Sequence, residues 1–480
     1  MKTKEEYIES MRNMNFELYM FGERVTNIVD NPIIRPAMDC MAATYELAEK
    51  PESEKVMTAT SHLTGKKINR FCHIHQNIED LVYKSKMGRM LGAYTGSCFQ
   101  RCVGTDALNT LSMVTYDIDK KYGTEYNQRF LKYLKYVQDE DLVCCGAMTD
   151  AKGDRSLRPA EQPDPDQHLR VVEERADGII VRGNKLHQTG AVNSHEIITM
   201  PTRAMREEDK DYAISFALPS DTKGIIYIYG RQSCDTRKID SPDMDVGNIL
   251  YGGQECMVIF EDVFVPWERV FMCGEWEFAG DFVEYFASYH RQSYACKSGI
   301  GDVLIGASQL IAEYQGTARA SHIKDKITEM IHLNETMMCC SLACSYEGRK
   351  MPSGTYLVNT LFANVCKLNV TRFPFQLARY AQDIAGGIIV TLPSEKDLKH
   401  PEIGKYVQKY LKCVEGVPVE NRARVLRLLE NLTLGLGAVC YLPESVHGAG
   451  SPEAQRIMIR RRANLEHKKI HAKRLCGIED

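Results

Sequence analysis

The sequence has no hydrophobic run long enough to cross a bilayer and no excess of charge of either sign. A transmembrane helix needs about 20 consecutive apolar residues, and no segment of the chain supplies them. The 60 basic and 64 acidic side chains give a net charge of −4, whereas a protein that binds nucleic acid or a membrane surface would carry a basic footprint. These absences argue against a membrane protein and against a nucleic-acid-binding protein.

The chain also lacks a signal peptide, internal repeats and low-complexity segments. Its N-terminus, MKTKEEYIESMRNMNFELY, is charged and amphipathic and has no apolar core of a secretory signal. The 17 cysteines are dispersed through 480 residues, so they indicate free thiols or a metal site rather than a disulfide framework. We therefore predict a cytoplasmic protein of two or three domains.

The hydrophobic pattern divides the chain into three parts, with predicted boundaries at residues 1–143, 144–275 and 276–480. The apolar spacing is mostly helical in the first part, as in the run from Ile78 to Tyr116. It becomes strand-like in the second, where LRVVEERADGIIVRG predicts a hairpin that turns at Ala-Asp-Gly. The helical period then returns and persists. The predicted order is a helical domain, a β domain and a helical bundle.

Cys98 and Cys102 lie four residues apart within a segment, residues 87–114, that the spacing predicts to be one long helix. Residues at i and i+4 share a helix face, so two thiolates here would hold iron or zinc if two further ligands came from elsewhere. The alternative is that both are small buried core residues, which is the ordinary place for free cysteine.

Several long sequence words carry a resemblance to a known family in the same order along the chain. They include CFQRCVG, TDAKGDRS, PDPDQHLRVVE, HQTGAVNSH, FEDVFVPWERVF, YHRQSYACK, QDIAGG and ESVHGAGSPEAQRIMI. With them the sequence resembles the 4-hydroxyphenylacetate 3-hydroxylase family of flavoenzymes, and within it the group of 4-hydroxybutyryl-CoA dehydratases.

The resemblance implies an α+β fold like that of the acyl-CoA dehydrogenases, with FAD and a 4Fe–4S cluster as cofactors. It implies dehydration of 4-hydroxybutyryl-CoA to crotonyl-CoA by a radical mechanism, together with isomerisation of vinylacetyl-CoA. An acyl-CoA substrate and a homotetramer built from two dimers are expected as partners. The hydroxylases share the fold without the cluster, so the cysteine pair is what separates the two activities.

The cluster ligands implied by the resemblance are Cys98, Cys102, His290 and Cys296. In the dehydratase pattern the cysteine follows the histidine by seven residues, but here Cys296 follows His290 by six. On a regular helix that leaves the two side chains about 120° apart. If Cys296 is a ligand, the segment must contain a non-helical or bulged turn, or a helix must begin only after Cys296. The alternative is that this protein has a changed ligand set.

The remaining site residues are also carried by the resemblance. Catalytic roles are expected for His290, as ligand and base, and for Tyr294, Lys297, Glu453 and Glu255. Flavin contacts are expected from three segments, which contribute Asp150, Gly153, Asp154, Arg155 and Ser156, then Gln188, Thr189, Gly190 and Ala191, then Gln382, Gly386 and Gly387.

Each of these motifs has an ordinary structural interpretation. TDAKGDRS reads equally as a polar turn, the glycines of QDIAGG as a helix C-cap, Glu453 as a helix-dipole residue and Glu255 as an exposed strand end. Two other function classes stay open: a flavin-dependent aromatic monooxygenase of the 4-hydroxyphenylacetate type without a cluster, and a non-catalytic flavin-binding protein that keeps the scaffold.

Overall fold

The computed structural model describes residues 1–230, 243–245, 247–248 and 250–478. Within these ranges the fold is mixed α/β with a helical C-terminal region. The helices of the N-terminal part are α1 (Lys4–Arg12), α2 (Arg35–Glu49), α3 (Glu54–Met57), α4 (Ile78–Thr95), α5 (Cys102–Tyr122) and α6 (Tyr126–Asp139).

Most strands lie between α6 and the C-terminal helices, with four short ones before α4 and two after residue 348. They are β1 (Glu17–Met20), β2 (Glu23–Val25), β3 (Thr58–Thr60), β4 (Lys67–Asn69), β5 (Cys144–Ala147), β6 (Arg170–Glu174), β7 (Gly178–Thr189), β8 (Glu196–Thr199), β9 (Ile214–Pro219), β10 (Ile225–Tyr229), β11 (Glu255–Pro266), β12 (Val270–Cys273), β13 (Arg349–Lys350) and β14 (Tyr356–Leu357).

Among the described residues two larger sheets form the centre of the molecule, in the orders β2-β1-β10-β11-β7-β6 and β12-β9-β8-β5. The predicted hairpin is confirmed, since β6 and β7 pair antiparallel on either side of the Ala-Asp-Gly turn. The N-terminal part is less purely helical than predicted. Its strand β1 pairs in parallel with β10, with Leu18 opposite Tyr227, so it shares a sheet with the central part. The division at residues 143 and 275 stays a prediction.

The C-terminal region is a bundle of helices. They are α7 (Ala279–Ser293), α8 (Cys296–Tyr314), α9 (Ser321–Tyr346), α10 (Thr360–Val370), α11 (Phe373–Ala385), α12 (Ile388–Thr391), α13 (Glu395–Lys399), α14 (Gly404–Leu411), α15 (Val419–Thr433), α16 (Ala438–Tyr441), α17 (Pro443–His447), α18 (Pro452–Arg462) and α19 (Leu465–Cys476). No single described helix has the length and apolarity to span a membrane, although the bent pair Val419–Thr433 and Ala438–His447 passes that test jointly.

Five hydrophobic clusters of buried side chains form within the described residues. The largest contains side chains from the N-terminal helices and both sheets, and a second fills the C-terminal bundle. A third, smaller core contains Phe71, Leu91, Phe99 and Cys296, with Cys102 packed against it. This small core lies where α4, the loop after α4 and the start of α8 meet.

The prediction of one continuous helix over residues 87–114 is wrong. Helix α4 ends at Thr95, because Gly96 takes the left-handed conformation (φ 58°) and caps it. Gln100 is also left-handed (φ 67°), a rare state for a non-glycine residue. Its buried side chain is held by Ala37, Gly252 and Asn193. These tertiary contacts stabilise a loop, so Cys98 lies in that loop and Cys102 begins α5.

The predicted turn between His290 and Cys296 is confirmed. Helix α7 ends at Ser293, Tyr294 and Ala295 form a turn, and α8 begins at Cys296. The break interrupts the regular helix between the histidine and the cysteine, so the 120° divergence of a regular helix does not apply.

Candidate active site

Three cysteines from three different elements share one buried neighbourhood. Cys98 comes from the α4–α5 loop, Cys102 from the first residue of α5 and Cys296 from the first residue of α8. Burial is the main cause that raises the pKa of each thiol. Cys296 is also among the charges that act on both Cys98 and Cys102. All three are free thiols, so the fold gathers potential ligands without cross-linking them.

Glycines let α4 and α8 approach closely at Cys296. A Cβ atom on Gly92 would overlap the carbonyl oxygen of Cys296, and one on Gly299 would overlap the backbone of Arg89. A Cβ on Gly88 would lie 3.4 Å from the Cys296 nitrogen. The turn that presents Cys296 therefore sits in a groove that only glycine leaves open.

His290 is held by a buried carboxylate. Its Nδ1 lies 2.9 Å from Oδ2 of Asp106, and its ring stacks on Phe286 with centroids 5.5 Å apart. Nε2 makes no hydrogen bond within the part of the chain that the structure describes. A metal-binding histidine ordinarily has one nitrogen hydrogen-bonded in this way and the other free.

The donor set is compatible with an iron–sulfur cubane. Within the described ranges no three His, Cys, Asp or Glu side chains converge on a point that would hold a single metal ion. A cubane has a different requirement, because each ligand binds its own iron atom and the ligands stand around the cluster. Buried Cys296, half-buried Cys98 and Cys102, and a carboxylate-held imidazole supply donors of the type that such a cluster needs.

Two carboxyl groups and a lysine lie beside the cysteines. Glu255, at the start of β11, accepts a hydrogen bond from Thr189 Oγ1 at 2.7 Å. Burial, then the charge of Glu444, raises the pKa of Glu255 well above its usual range, and the two carboxyls share a hydrogen bond. Both causes favour the protonated form of Glu255.

Lys297 joins this carboxyl pair to the cysteines. Its Nζ lies 3.1 Å from Glu444 Oε2 and also donates to the carbonyl of Cys440. Burial alone would lower the pKa of Lys297, but the Glu444 carboxylate raises it well above its usual range. Lys297 therefore stays cationic although its side chain is only 2% exposed.

Tyr294 closes the other side of the site. Its hydroxyl donates to the Glu444 carbonyl at 3.2 Å, and Lys367 Nζ lies 3.8 Å from its ring centroid. A Cβ on Gly448 would overlap the Tyr294 hydroxyl. The first glycine of HGAG is thus needed for the packing of Tyr294.

A cavity of about 40 Å³ borders the carboxyl pair, with Gly253, Cys440, Glu255 and Glu444 in its wall. That volume is enough for bound water, which needs about 10–15 Å³. The site therefore has room for a small polar group next to a protonated carboxyl.

The HQTGAV turn packs directly on the cysteine loop. Gly190 is left-handed (φ 69°), and a Cβ there would lie 3.0 Å from Gln100 Cβ. Ala191 is fully buried, and the Gln188 amide donates to the carbonyl of Thr149. The small residues at 190 and 191 thus allow close backbone approach, although the groups they contact belong to the protein itself.

TDAKGDRS divides into a buried part and an exposed part. Asp150 is buried and forms an ion pair with Lys185 at 2.7 Å. Asp154 accepts from the backbone and hydroxyl of Ser156 in a polar turn, with Gly153 left-handed at φ 52°. Arg155 is exposed. Next to this segment, a groove of about 470 Å³ runs over β7 and β11, lined by Ala151, Asn184, Leu186, Met257 and Ile259 among others.

The QDIAGG residues end α11. Gly386 is left-handed (φ 74°) and its N–H bonds to the Gln382 carbonyl, which is a helix C-cap. A Cβ on Gly386 or Gly387 would meet no described atom within 4 Å. These glycines face open space in the single chain.

Comparison with known proteins agrees with this geometry. The family model for the 4-hydroxyphenylacetate 3-hydroxylase N-terminal region matches residues 3–272, and that for the C-terminal region matches residues 279–477. The chain belongs to the 4-hydroxyphenylacetate 3-hydroxylase family.

Two relatives from this family are similar over their whole length. The chain is 56% identical to the 4-hydroxybutyryl-CoA dehydratase/vinylacetyl-CoA-Δ-isomerase of Clostridium aminobutyricum, over 99% of both proteins. It is 55% identical to an oxygen-tolerant archaeal 4-hydroxybutyryl-CoA dehydratase from N. maritimus, whose solved structure superimposes with a TM-score of 0.98 and covers 100% of this chain and 95% of that one.

Hydroxylase members of the family are more distant. The oxygenase component of 4-hydroxyphenylacetate 3-monooxygenase from Thermus thermophilus is 28% identical over 91% of this chain and 89% of its own length. A solved structure of such a component, complexed with FAD and 4-hydroxyphenylacetate, is 25% identical with a TM-score of 0.86 over 99% of this chain and 98% of that one.

The structure places one predicted catalytic residue apart from the others, and its role stays a prediction. Glu453 lies in the first turn of α18 with its side chain 69% exposed, beside Arg456 at 3.5 Å. Glu444, nine residues earlier in the same sequence word, is the glutamate that contacts Lys297 and Glu255. Spacing gave no basis for choosing between them, because each opens a short helix behind a proline.

Sequence reasoning missed three further residues at the site. They are Cys440, Asp106 and Lys367, none of which has a motif of its own. Cys440 Sγ lies 3.5 Å from Ser97 Oγ, so α16 contacts the cysteine loop. The position of Asp106, one turn after Cys102 on α5, is the single sequence signal that pointed to any of them.

Proposed function

We propose that this chain removes water from 4-hydroxybutyryl-CoA to give crotonyl-CoA and also isomerises vinylacetyl-CoA to crotonyl-CoA. One observation carries the proposal. The cysteines at 98, 102 and 296 and a carboxylate-held His290 are gathered beside the proton-sharing pair Glu255 and Glu444. The 56% identity to a bifunctional dehydratase and isomerase over 99% of the chain supports it.

FAD and a 4Fe–4S cluster are the proposed cofactors. When bound, the flavin would supply reversible one-electron oxidation and the cluster an iron that acts as Lewis acid towards the leaving hydroxyl. Cys98, Cys102, His290 and Cys296 would hold the cluster. The flavin would be held by Thr189 and Gly190 and by the exposed Arg155 and Ser156, whose segment borders the groove on β7 and β11. A family relative of this chain has been solved in complex with FAD.

The reaction requires several proton transfers in one place. Converting the substrate to crotonyl-CoA removes one hydrogen from C2 and one from C3, adds one to C4 and releases hydroxide that becomes water. The His290 imidazole and the Glu444 carboxylate, which Lys297 holds at 3.1 Å, would accept protons. Glu255 would donate one, because burial and the Glu444 charge raise its pKa and so favour its protonated form.

Lys297 and Tyr294 hold this arrangement in place. The Lys297 cation lies 3.1 Å from Glu444 and stabilises the negative charge of that carboxylate next to Glu255. Tyr294 fixes the backbone of Glu444. The small cavity at the carboxyl pair accommodates the water that leaves C4.

Four further expectations belong to the same proposal. They are an acyl-CoA dehydrogenase-like domain arrangement, a CoA thioester as substrate, a homotetramer made of two dimers and a cytoplasmic location. Assembly is supported by α19, a helix with no buried residue, on which Leu475 is 77% exposed. A helix that leaves its apolar side chains in water is stabilised when a neighbouring chain covers it.

Anaerobic purification followed by cofactor analysis tests the proposal. We expect about four iron atoms and four acid-labile sulfides per chain, as a cubane requires, together with one FAD and conversion of 4-hydroxybutyryl-CoA to crotonyl-CoA. Flavin without iron, together with hydroxylation of a phenol by the reduced protein, would instead establish the monooxygenase. Bound flavin with no turnover of either substrate would leave the non-catalytic alternative.

A further inference from the structure

Asp106 is a fully buried carboxylate on one helix, and its side-chain partners come from two other helices. On α5 it lies one turn after Cys102. It accepts from His290 Nδ1 at 2.9 Å and from Ser293 Oγ at 3.1 Å, both on α7. Lys84 Nζ, on α4, lies 2.5 Å away. The Asp106 residue has no solvent-exposed surface.

We propose that Asp106 is the positioning residue that fixes the ring orientation and the tautomer of His290 at the proposed cluster. An ionised carboxylate only accepts hydrogen bonds. Nδ1 of His290 must therefore carry the hydrogen, which leaves the lone pair on Nε2. That is the nitrogen that an iron atom would need, and Asp106 also prevents the ring from turning away. The inference rests on the proposed function of this site.

Lys84 stabilises the negative charge of the buried Asp106 carboxylate and leaves the oxygen that bonds His290 in place. Its Nζ lies beside Oδ1 of Asp106, while His290 uses Oδ2. A second hydrogen bond, from Lys84 Nζ to the Tyr289 carbonyl at 3.0 Å, fixes the lysine. Each oxygen of Asp106 thus has its own charged or ring partner, and the imidazole has one orientation.

The same helix turn also connects two proposed ligands. Cys102 and Asp106 stand four residues apart on α5, so their side chains project from one face. Through Asp106 the position of α5 determines where Cys102 and His290 both lie.

The test compares Asp106→Asn with Asp80→Asn in the intact, anaerobically purified protein. Asp80 offers a matched control, since it is also buried and pairs with His73 at 2.9 Å and with Arg70 at 3.1 Å, neither of which is a proposed cluster ligand. The asparagine at 106 presents an amide N–H₂ to one of its two partners, which favours the wrong tautomer or frees the ring.

We expect Asp106→Asn to lose iron to a chelator at a concentration about 10–100-fold below that needed by the wild type, as loss of such a partner does at metal sites. The histidine-nitrogen coupling in the electron paramagnetic resonance spectrum of the reduced cluster should change as well. Asp80→Asn should keep the wild-type iron content and spectrum. The double variant Lys84→Met/Asp106→Asn, which leaves no unpaired buried lysine, should give the same loss if the single variant folds poorly.

Two outcomes overturn the inference. One is an iron-loaded wild type whose Asp106 variants keep the wild-type spectrum and chelator midpoint. The other is an Asp80→Asn protein that loses iron as readily as Asp106→Asn, which would make the effect a general loss of stability. A wild type without any iron overturns the proposed function itself, and this inference with it.

Discussion

At the scale of single residues, burial decides which groups carry protons. Lys297 is buried and Glu255 is half-buried, and both face the Glu444 carboxylate. That carboxylate raises the pKa of both groups. It therefore favours the charged form of the lysine and the protonated, neutral form of Glu255.

Replacing Cys296 tests its role as a ligand. We expect Cys296→Ser to lower the iron content and to reduce dehydration by at least about 100-fold, because a hydroxyl is a poor iron ligand where a thiolate is needed. FAD content should stay near that of the wild type. Cys344→Ser, which changes a buried cysteine in a different hydrophobic cluster from that of Cys296, is the control. Unchanged iron in the Cys296 variant would remove this residue from the ligand set.

The two predicted glutamates are distinguished by a second pair of variants. Glu255→Gln should reduce dehydration by about 100–10,000-fold, the usual contribution of a proton-transfer group, whereas the exposed Glu453→Gln should have no effect. The raised pKa of Glu255 also predicts how the rate changes with pH. As the pH rises through the pKa of Glu255 in the folded protein, its proton is lost and the rate should fall. A rate–pH profile of the wild type measures this, and a Glu453 variant with a large defect would contradict the assignment.

At the scale of elements, two interruptions of helices form the site. The α4–α5 loop presents Cys98, and the α7–α8 turn presents Cys296. Glycines make both possible, since Gly96 ends α4 and Gly92 and Gly299 let α8 lie directly against it. Because α4 and α8 cross closely, the α7–α8 turn with Cys296 lies against α4, and α4 leads into the loop that carries Cys98.

Adding a methyl group in this crossing should disturb the site. Gly92→Ala would push against the Cys296 carbonyl, so we expect a loss of stability of about 1–3 kcal/mol from overpacking and a lower iron content. Gly306→Ala, on α8 but with nothing within 4 Å of the added Cβ, should be neutral or stabilise by up to about 1 kcal/mol through helix propensity. Thermal unfolding and iron assays compare the two. Equal behaviour would mean that the groove is not tight.

At the scale of the whole molecule, a single sheet joins the N-terminal and central parts. Strand β1 lies between β2 and β10, and one hydrophobic core runs from Tyr7 to Phe286. Unfolding of either part exposes that common core. The free energy of unfolding therefore depends on both parts together. Buried charged side chains in the smaller sheet contribute to it as well.

Glu196 on β8 gives this stability a predicted pH dependence. Burial raises the pKa of Glu196 from 4.5 to about 7, although Arg269 at 2.8 Å opposes the shift. A raised pKa favours the folded state while the carboxyl is protonated. Stability from this group is full below pH 4.5 and is lost as the pH rises through about 7, a change of about 3 kcal/mol. Glu196→Gln should remove that part of the slope in denaturant titrations, whereas the exposed Glu268→Gln should keep it.

The sequence by itself determined the family, the order of helical and strand-rich parts, the cysteines at 98 and 102 and the need for a break before Cys296. These depend on local periodicity and on long words that need no coordinates. Only the tertiary structure decided that residues 96–101 form a loop, because the left-handed Gln100 is stabilised by Ala37, Gly252 and Asn193 from distant segments. It likewise decided for Glu444 over Glu453 and brought Asp106 to His290. Burial and pairing between residues more than 100 positions apart set those choices, and no local pattern records them.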